Sequence, residues 1–226
     1  MDKCFLTTTP HYDEVTYYLR KWTGEVVKEA KVPCISLDET NATRANLQKR
    51  IASHHPVFLL INGHGSTTEI HGQGGVYRDA NDRMVSREVI LKANDNESIT
   101  ANTIVYARAC KSLSQLGKSC VEHGGATAYI GYYLKFVFSA DPNLATQDEH
   151  DVVANYFKEI TNVIPTSILK GHTVDEAVCR SKDAAARIIK RLEAFESENP
   201  TAQAILPFLY YDLGMLGYAG DGNATI

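Results

Sequence analysis

The stretch VFLLINGHGSTTEIHG, residues 57–72, decides how the chain is read. It opens on a short apolar run rich in β-formers, which predicts a strand buried on both faces. The run passes directly into Asn62-Gly63-His64-Gly65. Glycines on either side of a histidine permit a tight turn and a close backbone approach, so the imidazole is presented at a strand end instead of being packed in a core.

The surrounding pattern says what kind of sheet this strand belongs to. Residues 3–9, 32–37, 102–109 and 126–133 are further short apolar runs of strand character. Between the runs lie segments with helical spacing over 12–30, 42–53 and 112–123, the last stopped by Gly124-Gly125. Strand alternating with helix builds βαβ units, hence an α/β fold whose mostly parallel central sheet carries helices on both faces. A helical pair is expected over 149–161 and 174–196, and the segment 204–222 is expected to add a sixth strand and a glycine-rich turn. The Gly-, Asn- and Asp-rich loop 67–86 interrupts the rhythm, and within it VYRDANDRMVS reads as a small hairpin. With no linker and no internal repeat, residues 1–226 read as one domain.

Composition narrows the function classes. The 226 residues are 44% hydrophobic, ordinary for a folded α/β chain. With 23 basic against 27 acidic side chains and no basic block, neither nucleic acid nor a membrane surface is an expected partner. Met1-Asp2-Lys3-Cys4 lacks the apolar core of a secretion signal, so a cytoplasmic protein is expected. Cys4, Cys34, Cys110, Cys120 and Cys179 are odd in number and contain no C-x-x-C, which argues for free thiols over disulfides or a zinc cluster.

Parallel α/β sheets bind ligands beyond the carboxyl ends of their strands. His64 is at such an end, and TIVYARAC delivers Cys110 to another. A helix beginning near Ser112 would favour the Cys110 thiolate through its dipole and free amides. Together the two side chains make a nucleophile with its proton-transfer partner, and the Gly65 and Cys110 amides an oxyanion hole.

Apolar strand, His-Gly, a spacer of about 45 residues, apolar strand and Ala-Cys together resemble the caspase-like cysteine peptidases. INGHGS is similar to the metacaspase block. ARACKSLSQLG followed by GGATAYIGYY, the helical segment starting VVANYFKEI and the tail LGYAGDGNATI resemble the CHAT and gingipain branch, with Gly222 where that branch carries proline. The resemblance covers roughly residues 57–226 and implies a three-layer α/β/α sandwich with about six strands. It also implies a thiol protease needing no cofactor, with His64 and Cys110 as the catalytic pair and a protein as substrate. CHAT-type peptidases serve bacterial antiviral defence, which implies a regulatory partner or an effector such as a gasdermin. The residue two before the cysteine lines the pocket for the substrate side chain. Here that residue is Arg108, where clostripain-like enzymes carry Asp and caspases Gln, so cleavage after an acidic or small uncharged residue is expected. In the competing arrangement Arg108 pairs internally with an acid such as Asp141, and Asp38 or Asp13 lines the pocket instead.

Each choice has a plainer rival. His64 alone would be a turn histidine bound to backbone, and Cys110 alone a small buried hydrophobe; their matching positions carry the inference. His71 offers a second nitrogen for zinc, but a third ligand at suitable spacing is missing, so no metal is expected. His54, His55 and His123 suit helix ends, and Asp38, Asp141 and Asp148 suit caps. Two other functions stay open: an inactive scaffold of the same fold, and a phosphate- or nucleotide-binding module using the GHGS loop, for which the motif is incomplete.

Overall fold

The computed structural model describes residues 3–74, 77–78, 84–85, 87–140, 150–194 and 200–226. In chain order the strands are β1 (Phe5–Thr9), β2 (Cys34–Asp38), β3 (Phe58–Asn62), β4 (Glu69–Gly72), β5 (Tyr77–Arg78), β6 (Met84–Val85), β7 (Glu88–Lys92), β8 (Ile104–Arg108), β9 (Ala128–Tyr132) and β10 (Leu216–Gly220). The helices are α1 (Glu14–Glu29), α2 (Arg44–His54), α3 (Leu116–Glu122), α4 (Val152–Leu169), α5 (Val174–Glu193) and α6 (Pro200–Met215).

Six strands form the main sheet in the order β10-β9-β8-β3-β1-β2. All neighbours are parallel except β9 and β10, which run antiparallel. The three central strands and β9 are buried along their whole length, as continuous apolar runs require when both sheet faces are covered. Alternation splits their side chains between two cores. Phe58, Leu60, Ile104 and Tyr106 join α1, α4, α5 and α6 on one face. Leu59, Ile61, Val105 and Ala107 join α2, α3 and the β4–β7 pair on the other. The result is helix, sheet, helix in three layers, as the alternation of elements predicts.

Local chemistry sets the helix ends. Asp13 caps α1 in a reciprocal box with Thr16, and Thr173 caps α5 in the same way with Glu176. His55 ends α2 in the left-handed conformation. Asp151 caps α4 and accepts from the buried Tyr18 hydroxyl at 2.8 Å, tying α4 to α1. The chain end closes over α5: Val174 and Asp175 donate their N–H groups to the carbonyls of Ala224 and Gly222.

Three expectations need correction. α3 starts at Leu116, not near Ser112, because residues 110–115 form turns in which Lys111 adopts a φ of 58°. The tail is helical through Met215 and only then turns into β10, the long apolar run being helix α6 packed against α5. The loop after His64 contains β4 and β7, a two-stranded antiparallel sheet whose short half-polar strands were hidden by the glycines between them. The expected hairpin is seen as β5 paired with β6; residues 75–76, 79–83 and 86 of that loop, and Asp141 and Asp148, lie outside the described residues.

Asp212 is the one charged residue in α6, and it is buried. Burial raises its carboxyl pKa to about 8. An unfolded carboxyl titrates near its ordinary value of 3.8, so from about pH 4 to pH 8 the folded chain holds more proton at this position than the unfolded chain. The Asp212 contribution to stability therefore falls as pH rises through that window. Urea midpoints at pH 5 and pH 8.5 should show a smaller drop for Asp212→Asn than for the natural chain; equal drops would contradict the burial argument.

Candidate active site

The site begins with strand register. β3 and β8 are adjacent and parallel, with Asn62 opposite Arg108. His64 and Cys110 each follow two residues later, so both leave the sheet from the same end and the same level. Neighbouring strands lie about 4.8 Å apart, which brings the two loops together. Contact between them is direct: a Cβ built on Gly65 would lie 2.9 Å from both the Ala109 Cβ and the Cys110 carbonyl oxygen. On the other side, a Cβ on Gly63 would meet the His71 carbonyl at 2.0 Å. The two glycines flanking His64 are therefore the ones that let its loop pass between β4 and the Cys110 turn.

The Gly65 backbone is aimed by β4. His71 N–H donates to the His64 carbonyl and Ser66 N–H to the Glu69 carbonyl, flanking an isolated bridge between Gly65 and Ile70. In such a pair the bonds belong to the flanking residues, so the Gly65 N–H and C=O point away from β4.

The His64 imidazole is 32% exposed, open enough for a ligand to reach it. Its Nε2 lies 2.6 Å from Asp13 Oδ2. Asp13 Oδ1 at the same time accepts the Thr16 N–H that caps α1. Burial raises the Asp13 carboxyl, but the bonds from His64 and Thr16 outweigh it and hold the group below the ordinary carboxylate value. With Nε2 engaged by a carboxylate, Nδ1 is the ring nitrogen left for exchange with another group. Tyr12 Oη accepts the His64 N–H at 3.4 Å, and burial pushes its phenol up to about 12. The rings of Tyr12 and His64 lie 5.8 Å apart, and the Arg87 guanidinium sits 5.5 Å from the Tyr12 ring centre.

Cys110 differs from expectation. α3 starts six residues further on, so its N-terminus does not lie at the thiol. Burial pushes its pKa above the ordinary thiol value, outweighing the nearby Lys111 and Lys135. The Cys110 Sγ donates to the Phe136 carbonyl at 3.5 Å.

Among the residues expected to meet a substrate side chain, Arg108 is fully buried. It points into the α1–α4 layer, donating to Asn162 Oδ1 at 2.5 Å and, at 3.4 Å, to Thr23 Oγ1 and the Thr161 carbonyl. Its Nε has no hydrogen-bond partner and no carboxylate is in ion-pair range among the described residues, so the acid expected to pair with it is not among them. Asp38 is exposed at the end of edge strand β2, accepting from Ser36 and Thr9. It shares a groove of about 530 Å³ with Arg20, Lys21 and Lys28. His71 contacts Glu69 at 3.2 Å, and no group of three His, Cys, Asp or Glu side chains among the described residues is arranged to hold a metal.

Asp13 and Phe136 are the parts that sequence reasoning missed. Asp13 entered only as an alternative lining of the pocket for a substrate side chain, whereas it caps α1 and contacts His64. The available signal was topological: the loop after β1 must border the loop after β3, its parallel neighbour. Comparison with known protein families and with characterised proteins finds no match to this chain.

Two substitutions test the geometry. Gly65→Ala forces a methyl group into the Ala109–Cys110 backbone and should destabilise the fold by about 1–3 kcal/mol, with the amide resonances of residues 109–111 shifting in two-dimensional spectra; an unperturbed Cys110 turn would refute the contact. Arg108→Met replaces a buried cation lacking a carboxylate partner by an apolar chain of similar length, and should leave the urea midpoint unchanged or raise it. A loss of more than about 3 kcal/mol would mean that a buried acid pairs with Arg108.

Proposed function

We propose that the chain is a caspase-like cysteine endopeptidase, with His64 and Cys110 as its catalytic pair. The observation that carries this reading is the β3–β8 register, which puts an acid-base group and a thiol on adjacent strand ends with the Gly65 backbone against the Cys110 backbone. The sheet order, with an antiparallel strand at one edge, suits the three-layer sandwich that the resemblance implies.

In this mechanism the Cys110 thiol gives its proton to His64 and the sulfur attacks a peptide carbonyl. The oxyanion that forms is met by the Gly65 and Cys110 N–H groups. His64 passes the proton to the departing amine, and water then attacks the thioester, returning the thiol and releasing the acid. Asp13 holds the imidazole through Nε2 and fixes its orientation. No metal or cofactor takes part in these steps.

The substrate is a protein in the cytoplasm, cut at a chosen site in a bacterial defence or cell-death response, for example a gasdermin or another effector, under control of a separate partner. The resemblance implies a preference for an acidic or small residue before the scissile bond, but the Arg108 side chain, buried against α1 and α4, is turned away from a substrate in this arrangement. Asp38 suits a basic guest poorly, because Arg20, Lys21 and Lys28 share its groove. The raised pKa of Cys110 favours one second reading, an inactive scaffold that binds a partner through the same fold.

Cleavage-site profiling of a bacterial proteome with the purified chain separates the two. Cys110→Ala and His64→Ala should each reduce cleavage by about 10²-fold or more, and the double variant no further, since the groups act as a unit. Asp13→Asn, which keeps an oxygen for the cap, should cost about tenfold or more through misorientation of the ring. Cleavage retained by Cys110→Ala would sink the mechanism, and no cleavage by any form would favour the scaffold.

A further inference from the structure

We propose that residues 133–140 form a strap that covers Cys110, so that the thiol meets a substrate only after the strap lifts. The stretch follows β9 without joining any regular element, and it runs across the turn that carries the cysteine. Five polar contacts among the described residues fasten it, and the first joins the Tyr133 N–H to the Met215 carbonyl at the end of α6, at 2.9 Å. Lys111 N–H donates to the Leu134 carbonyl at 2.6 Å, Ser114 Oγ donates to the Tyr133 carbonyl at 2.5 Å, and Cys110 Sγ donates to the Phe136 carbonyl at 3.5 Å. The fifth, like the first, comes from α6: Val137 N–H donates to Asp212 Oδ1 at 3.0 Å.

Two aromatic rings add an apolar anchor. Phe136 stacks 4.6 Å from Tyr132, and Phe138 lies 4.9 Å from Trp22 and 5.7 Å from Tyr18. Between these buried rings and β9, Tyr133 and Leu134 remain exposed, so the segment is held at one end by the core and at the other by contacts to the cysteine's own turn. Three of its five polar contacts involve residues 110–114, which means that lifting the strap at Phe136 releases the thiol. Asp212 is a remote fastening. It is a buried carboxyl to which Val137 is the only hydrogen-bond donor among the described residues, and no cation is in ion-pair range of it there. That bond holds the middle of the strap down against α6, beside the thiol it covers.

The meaning of the strap as a latch on a peptidase rests on Cys110 being the nucleophile; the shielding of the thiol does not. The test therefore reads access and not proteolysis. The intact chain is treated with iodoacetamide under native conditions and alkylation is followed at each cysteine by mass spectrometry, with exposed Cys179 and buried Cys120 as internal references. Cys110 should react at least about tenfold more slowly than Cys179 in the natural chain. Asp212→Ala removes the acceptor and Val137→Pro the donor; each should speed Cys110 by about tenfold, the worth of one buried hydrogen bond. Asp212→Asn keeps an acceptor oxygen and should leave Cys110 slow. Cys110 reacting as fast as Cys179 in the natural chain would overturn the proposal. So would acceleration in the variants only in step with Cys120, which would show release by unfolding and not by a lifted strap. Proteolysis absent from every form, with alkylation behaving as expected, would refute the peptidase and leave the strap standing.

Discussion

The parallel pairing of β3 with β8 is the constraint on which the site depends. Hydrogen bonds along Phe58–Ile104 through Asn62–Arg108 fix the two strands to within one residue. A slip by one residue would turn every side chain on a strand to the other face, exchanging Leu60 with Ile61 between two well-filled cores. Because both faces are buried, the slip is prohibitively expensive. The relative height of His64 and Cys110 is thus set by apolar packing far below them, and the polar groups at the top inherit a precision that they do not themselves provide.

The same packing explains what was legible in the sequence. Buried parallel strands read as unbroken apolar runs, so β1, β3, β8 and β9, and the glycine-flanked histidine at the end of one, stand out in the sequence, and the half-exposed edge strand β2 stands out by its β-forming residues. Helices with amphipathic spacing and capping residues were legible for similar reasons. α6 was not, because Ala204, Ile205, Leu206, Phe208, Leu209 and Leu213 leave no polar face from which a period of 3.6 can be read. β4 and β7 escaped because a four- or five-residue strand beside glycines carries little periodic signal.

At the site, position was legible and environment was not. Cys110 lies at the strand end as its neighbours indicate, yet burial that no local motif records holds its thiol above the ordinary value, and its hydrogen-bond partner is the Phe136 carbonyl, 26 residues away. Arg108 shows the opposite failure. Its place in the chain suggested a pocket, whereas strand alternation and the closeness of α1 and α4 send the guanidinium into the protein. Both cases turn on contacts between elements remote in sequence, which composition and spacing do not encode.

Asp13 gives its two oxygens to different tasks, one to the first turn of α1 and the other to His64. A carboxylate fastened at one oxygen has little rotational freedom left, so the imidazole finds its partner already oriented. The arrangement also ties that orientation to the end of a helix, and helix ends are where thermal fraying starts. Loss of that first turn would therefore cost the imidazole its fixed partner even with the buried sheet beneath it intact. The orientation of the imidazole thus depends on one helical turn as well as on the sheet.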